Sequence, residues 1–181
     1  MRGLMIFANK MEDNEALSTL ALLKRAGYNI ESASIEDDFL VTTSYGLECN
    51  ADRLLYDLNL DNYDFLIIPG GPYSKEILQS DQIIKKTAKE FNQKNKMIAA
   101  ICAAPAFLGV IGLLDGKEFT CIPGMENYAP KGTYLADKKA VTDANIITAR
   151  SAGAVIEYVY EIIKYLDSED SAKDLLKKLM Y

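Results

Sequence analysis

The chain predicts an α/β fold, a doubly wound sandwich with five or more parallel strands. Three observations carry this. Short apolar runs at residues 4–8, 63–68 and 97–101 end abruptly in turn residues, as strands do when helices cover both faces of their sheet. Amphipathic helical stretches alternate with these runs. The first strand, helix and second strand fit within the first 35 residues, a βαβ unit that implies a parallel sheet and a right-handed crossover.

Taken in order, residues 4–8 form the first strand and residues 9–14 a polar turn. Glu15 opens an amphipathic helix through Ala16, Leu17, Leu20, Leu22 and Leu23. Lys24 and Arg25 suit its last turn, and Gly27 lies just beyond as a stop signal. Residues 28–35 alternate as a second strand. Residues 39–43 and 47–49, around Ser44-Tyr45-Gly46, predict a small β-hairpin at an edge or in an insertion. Residues 51–60 are acidic and mixed, a short helix or a loop. The strand at 63–68 ends in Pro69-Gly70-Gly71-Pro72, where two glycines mark a tight turn or a close approach.

Residues 76–95 predict one helix, with Ile77, Ile83, Ile84, Ala88 and Phe91 on its apolar face. The run at 97–101 then meets Cys102 and continues at once in helix-compatible residues. Residues 118–122 are extended again, followed by a loop at 123–127. Residues 140–142 and 146–148 read as strands around a turn. Residues 150–153 lead into a helix over 154–166, and Ser168 is a plausible N-cap for a last helix reaching Met180. No linker, repeat or low-complexity segment interrupts 1–181, which predicts a single domain.

Composition narrows the chemistry. The net charge of −6 lacks the basic face that nucleic-acid binding needs. No apolar run approaches the length of a membrane span, and residues 1–8 are too short for a signal peptide. Cys49, Cys102 and Cys121 are odd in number and widely spaced, so reduced thiols in a cytoplasmic protein are expected. The chain has no histidine. That removes the usual general base, the commonest transition-metal ligand and the usual triad partner.

Strand, cysteine, helix is the layout of a nucleophile elbow, which aims a side chain from the carboxyl end of a sheet at helical N–H groups. By itself Cys102 is equally a small buried hydrophobe at a strand end. Glu15 by itself is a first-turn glutamate favoured by the helix dipole. Arg150 reads first as a structural partner for a carboxylate, Cys121 as core, and Tyr128 and Tyr134 as loop residues on the surface or above the site.

Together these landmarks resemble the DJ-1/PfpI superfamily, nearer its DJ-1 branch. The residues that carry the resemblance are Glu15, Pro69-Gly70-Gly71, Ala100-Ile101-Cys102-Ala103-Ala104-Pro105, Phe119-Thr120-Cys121-Ile122-Pro123 and Thr148-Ala149-Arg150-Ser151-Ala152-Gly153. The resemblance implies a flavodoxin-like fold and a homodimer, with Cys49 near the dimer contact. It implies that Cys102 is a reactive cysteine, that Glu15 hydrogen-bonds it, and that the N–H groups of Gly71 and Ala103 form an oxyanion site.

One departure concerns histidine. In the protease branch a histidine follows the elbow cysteine, where this chain has Ala103. In the DJ-1 branch it falls where Ile122 aligns, with an acidic partner near Ala21. Losing both is consistent, because a lone buried carboxylate is costly, and it argues against triad-type proteolysis. Isocyanide hydration is disfavoured because that branch places an aspartate where Glu15 stands.

The resemblance therefore implies cofactor-independent glyoxalase III or deglycase chemistry on small reactive carbonyls, with no metal. The alternative is a non-catalytic oxidation sensor or protective protein whose partner is a peroxide. For either, Cys102 and Glu15 are expected to share one proton: a carboxylate beside a thiolate is unfavourable unless one of them is protonated.

Overall fold

The computed structural model describes residues 1–181. β1 (Arg2–Phe7) runs to a loop and a π-helical turn at Asn14–Ser18, which passes into α1 (Thr19–Arg25). β2 (Asn29–Ser34) follows, then the antiparallel hairpin β3 (Leu40–Thr42) and β4 (Glu48–Asn50). β5 (Arg53–Leu54) is a two-residue edge strand on β2, in a region where residue pattern predicts only a short helix or loop. β6 (Phe65–Ile68) leads through the glycine pair into α2 (Pro72–Ile77) and then α3 (Ile83–Gln93).

β7 (Met97–Ile101) ends at the elbow, before α4 (Pro105–Val110). β8 (Glu118–Phe119) and β9 (Thr133–Tyr134) make a separate two-stranded ribbon. β10 (Ala140–Asp143) and β11 (Ile146–Ala149) precede α5 (Val155–Leu166) and α6 (Glu169–Leu179).

The main sheet has seven strands in the order β10-β11-β7-β6-β1-β2-β5. All neighbours are parallel except β10 and β11. This is the flavodoxin-like arrangement. β1, β6 and β7 are almost wholly buried, as continuous apolar runs require. α1 packs on α5, and α5 on α6 and β11, while α3 packs on β6, β7 and α4. No helix is long and apolar enough to cross a membrane.

Two predicted elements are shorter than their residue pattern suggests. The stretch at 76–95 is two helices. Pro72 at the first turn starts α2 early, and Asp81 starts α3 afresh by accepting the N–H groups of Ile83 and Ile84 at 3.1 and 3.2 Å. The extended run at 118–122 leaves its strand after Phe119. Thr120 N–H turns to Thr148 Oγ1 at 2.9 Å, and Ile122 N–H to the Cys102 carbonyl at 3.0 Å. Ser168 does cap α6, accepting from Ser171 N–H at 3.2 Å.

β1, β6 and β7 lie side by side with their carboxyl ends on one edge. Open α/β sheets place ligands outside such ends, where the strand order reverses. The loops leaving these three strands carry Glu15, Gly70 with Gly71, and Cys102.

Candidate functional site

Cys102 has φ +63°, a left-handed conformation that costs a residue with a Cβ about 1–2 kcal/mol. Tertiary hydrogen bonds hold it there. Cys102 N–H donates to the Ala149 carbonyl at 2.9 Å, and the Cys102 carbonyl accepts from Ile122 N–H. The turn behind it closes by Ala104 N–H to the Ile101 carbonyl at 3.0 Å. Strain over-determined by its surroundings is typical of a nucleophile elbow.

The helix after the elbow supplies less than its position suggests. α4 has six residues. Its first N–H groups are already used: Ala104 by Ile101, and Ala106 by the Ala103 carbonyl at 3.2 Å, while Pro105 has none. Only Ala103 N–H remains without a backbone acceptor, and it lies close enough to the Cys102 sulfur to favour the thiolate. Gly71 N–H has no backbone acceptor either. Gly71 has φ +127° and packs against the loop at Lys10, Met11 and Glu12.

Glu15 reaches Cys102 from the opposite side. It is 1% exposed. Its Oε2 accepts from Gly70 N–H at 3.0 Å, and Ala152 N–H and the Cys102 thiol lie beside its carboxyl. The helix start that presents it is tied down by Glu12, whose Oε2 accepts Glu15 N–H at 2.7 Å and whose own N–H donates to the Gly70 carbonyl.

Burial is the main reason the Glu15 pKa rises, to about 7; the Glu12 charge adds to it, and the hydrogen bond from Cys102 opposes it. Burial also pushes the Cys102 thiol up, with the Glu15 charge next in importance. Each group's charge thus opposes ionisation of the other. Glu15 is the stronger acid of the two, so when the pair carries one charge the thiol keeps its proton beside the carboxylate.

Gly70 is the contact glycine. A Cβ there would stand 2.4 Å from Glu15 Oε2, 2.6 Å from Cys102 Cβ and 2.9 Å from the Ile101 carbonyl. Gly70→Ala should destabilise the protein by about 1–3 kcal/mol, the scale of overpacking, and should also separate Glu15 from Cys102. Urea unfolding with thiol alkylation measures both; unchanged values in both would remove Gly70 from the site.

The remaining sequence expectations resolve as follows. Ile122 touches the Cys102 backbone, so the position that aligns with the family's histidine is adjacent to the cysteine and apolar. Arg150 pairs with no carboxylate. Its Nη1 holds the Ala136 carbonyl at 3.3 Å, because β10 and the loop before it, not an acidic helix, face that strand end. Tyr134 turns away to the Cys121 carbonyl at 3.3 Å and stacks beside Phe119. Tyr128 is partly exposed in the loop over Gly109. Cys121 is buried. No cluster of His, Cys, Asp or Glu is arranged to hold a metal ion.

Glu12 and Ala152 are the site contributors that residue pattern did not single out. Gly70 was legible, with Gly71, as a turn glycine that also opens an N–H toward the site, and Glu12 could have been found as the acidic residue one turn ahead of Glu15. Ala152 contributes only a backbone N–H, and its one trace in the sequence is its place in the run Arg150-Ser151-Ala152-Gly153.

The DJ-1/PfpI family model matches residues 1–165. The chain belongs to the DJ-1/PfpI family. Protein DJ-1 homolog A from Arabidopsis thaliana is 31% identical over 175 residues, covering 96% of this chain and 45% of that protein. The chain thus spans about half that relative's length. Deglycase PfpI from Pyrococcus furiosus is 28% identical over 167 residues, 92% of this chain and 99% of that protein. Oxidized DJ-1 from Toxoplasma gondii superposes with a TM-score of 0.90 at 29% identity, covering 99% of this chain and 98% of its own. Within the DJ-1/PfpI family, this chain is one whose elbow cysteine has a carboxyl partner and no histidine.

Proposed function

We propose that this protein acts on small reactive carbonyls without a cofactor, in the manner of a glyoxalase III or deglycase. The observation that carries the reading is a buried thiol and a buried carboxyl placed to share one proton. Cys102 is 9% exposed, a degree of burial that suits a small electrophile. The pocket beside the Glu15 turn, about 390 Å³ and lined by Asn14, Ser18, Ala152 and Gly153 among others, does not include Cys102.

The chemistry balances without metal or redox partner. In the singly charged pair, the form with the charge on sulfur and the proton on Glu15 is reactive. Sγ attacks the aldehyde carbon of methylglyoxal, and the carbonyl electron pair moves to oxygen, which takes the Glu15 proton. Gly71 and Ala103 N–H groups stabilise the developing oxyanion. The Glu15 carboxylate then removes the C–H proton of the hemithioacetal, giving an enediolate, and returns it to the neighbouring carbon as the hydroxyl proton on the sulfur-bearing carbon passes to the neighbouring alkoxide. The resulting thioester is hydrolysed to lactate and free thiol. The deglycase name of the Pyrococcus relative supports this class of reaction. The test is consumption of methylglyoxal by the purified protein against its Cys102→Ser variant.

A second reading, controlled oxidation of Cys102, uses the same residues. Thiolate and peroxide give sulfenate and water, and a second peroxide gives sulfinate. Protonated Glu15 and Ala103 N–H would both donate to the new oxygens. Cys49 is more accessible but is kept a thiol by burial and the Asp13 charge; Cys121 is sealed in the core. Under graded peroxide, intact mass and peptide mapping should show Cys102 gaining two oxygens before either other cysteine gains any. Oxidation of Cys49 first would remove this reading.

A further inference from the structure

Two buried hydroxyls on the segments that pack around the Glu15 turn have no protein partner. Tyr158 Oη and Thr19 Oγ1 are both fully buried, in residues 0% exposed. Native interiors leave few such groups, and a buried hydroxyl without a partner costs about 1–3 kcal/mol. Phenylalanine at 158 or valine at 19 would fill the same space without that cost.

The two hydroxyls share one seam. Thr19 is the first residue of α1, four positions after Glu15 and directly beyond the π-helical turn that carries it. Side chains four apart on a helix lie on one face, tilted toward its N-terminus, so Thr19 leans toward Glu15. Tyr158 is on the first turn of α5, which packs on both the Glu15 turn and α1. Asn14 Nδ2 fixes the two segments together through the Ala152 carbonyl at 3.0 Å. Among charged groups, Glu15 acts most strongly on the Tyr158 hydroxyl. The titratable groups facing Glu15 are Cys102 from the end of β7, Glu12 from the loop after β1, Tyr73 from α2 and Tyr158 from α5. The Tyr73 hydroxyl is already committed to the Pro69 carbonyl at 2.7 Å, which leaves Tyr158 as the uncommitted donor on the inner side.

Buried waters typically make about three hydrogen bonds to otherwise unsatisfied groups. Tyr158 Oη, Thr19 Oγ1 and a free lone pair of the Glu15 carboxyl supply three. We propose that Tyr158 and Thr19 hold an internal water against the Glu15 carboxyl, making Tyr158 a positioning residue for the proton that Glu15 shares with Cys102. The water gives the carboxyl an inner donor while Gly70 and Ala152 serve its outer edge. A chain without histidine would then set the protonation of its cysteine pair from beneath, through a second hydrogen-bonded layer.

This rests on the shared-proton reading of the site, so the experiment separates the two. The rate of Cys102 alkylation is measured against pH in wild type, Tyr158→Phe, Thr19→Val and Glu15→Gln. Removing the inner donor disfavours the carboxylate, so the first ionisation of the pair should move to higher pH in Tyr158→Phe. A rise of about half a pH unit gives about threefold slower alkylation below the midpoint. Thr19→Val, close in shape to the native residue, should move the same way, and Thr19→Ser should restore the wild-type profile. Profiles of Tyr158→Phe and Thr19→Val that match wild type while Glu15→Gln departs would overturn the water-held link and leave the pair intact. If Glu15→Gln also matches wild type, the shared-proton pair itself fails, and this inference with it.

Discussion

Cys102→Ser is expected to abolish carbonyl turnover. Serine preserves the size of the side chain, but its hydroxyl has no ionisable form near neutral pH and no thiol proton to share with Glu15. A covalent mechanism that loses its nucleophile falls by at least ~10³-fold. The fold should survive, because the elbow is held by backbone hydrogen bonds to Ala149 and Ile122 that do not involve sulfur. Methylglyoxal consumption is followed by loss of substrate and appearance of lactate, with unfolding midpoints recorded on the same samples. A serine variant that turns over methylglyoxal as fast as wild type would end the nucleophilic reading. An inactive wild type with preferential Cys102 oxidation would leave the oxidation reading standing alone.

Glu15→Gln is expected to change both the rate and the way stability depends on pH. As a proton shuttle Glu15 contributes on the scale of general acid–base catalysis, about 10²–10⁴-fold, and Gln cannot carry the proton. The stability effect follows from burial. The folded-state pKa of Glu15 is raised from 4.5 to about 7, so the folded state holds this proton more tightly than the unfolded chain does. Its contribution to stability is fully present below pH 4.5 and is lost as pH rises through 7.

A shift of this size corresponds to about 3 kcal/mol between those limits. The glutamine variant lacks that slope. Near pH 4.5 it should match wild type to within about 1 kcal/mol, the scale of a neutral hydrogen bond; above pH 7 it should be the more stable protein. Urea unfolding of both proteins across this range checks the sign. Parallel pH dependences would mean that Glu15 is not the carboxyl held protonated in the fold.

The two substitutions also test why the site is unstable by design of its surroundings. A left-handed cysteine, a buried carboxyl and a glycine that accepts no Cβ occupy one small volume at the ends of β1, β6 and β7. Each disfavours the folded chain locally. The fully buried apolar strands beside them, including Leu66, Ile67, Ala99 and Ala100, hold that geometry in place.

The chain alone determined the alternation of strand and helix, the elbow at Cys102, the glycine pair after β6 and the absence of any histidine base. These are local or compositional facts: apolar periodicity sets which segments become buried strands, and a residue type that is missing cannot contribute anywhere in space. The chain alone did not determine that residues 76–95 split at Asp81, that Arg53–Leu54 pairs with β2, or that Arg150 serves a carbonyl, since each depends on a hydrogen-bond partner supplied by another segment.

Glu15 shows the division most clearly. By its local pattern it is a first-turn glutamate favoured by the helix dipole, and only the family resemblance marks it as a partner for Cys102. The tertiary structure encloses it between Gly70, Cys102 and Ala152, and withdrawal from water converts an ordinary carboxylate into a group that keeps its proton near neutral pH. Charge is carried by the residue, whereas its solvation is decided only when distant segments close around it.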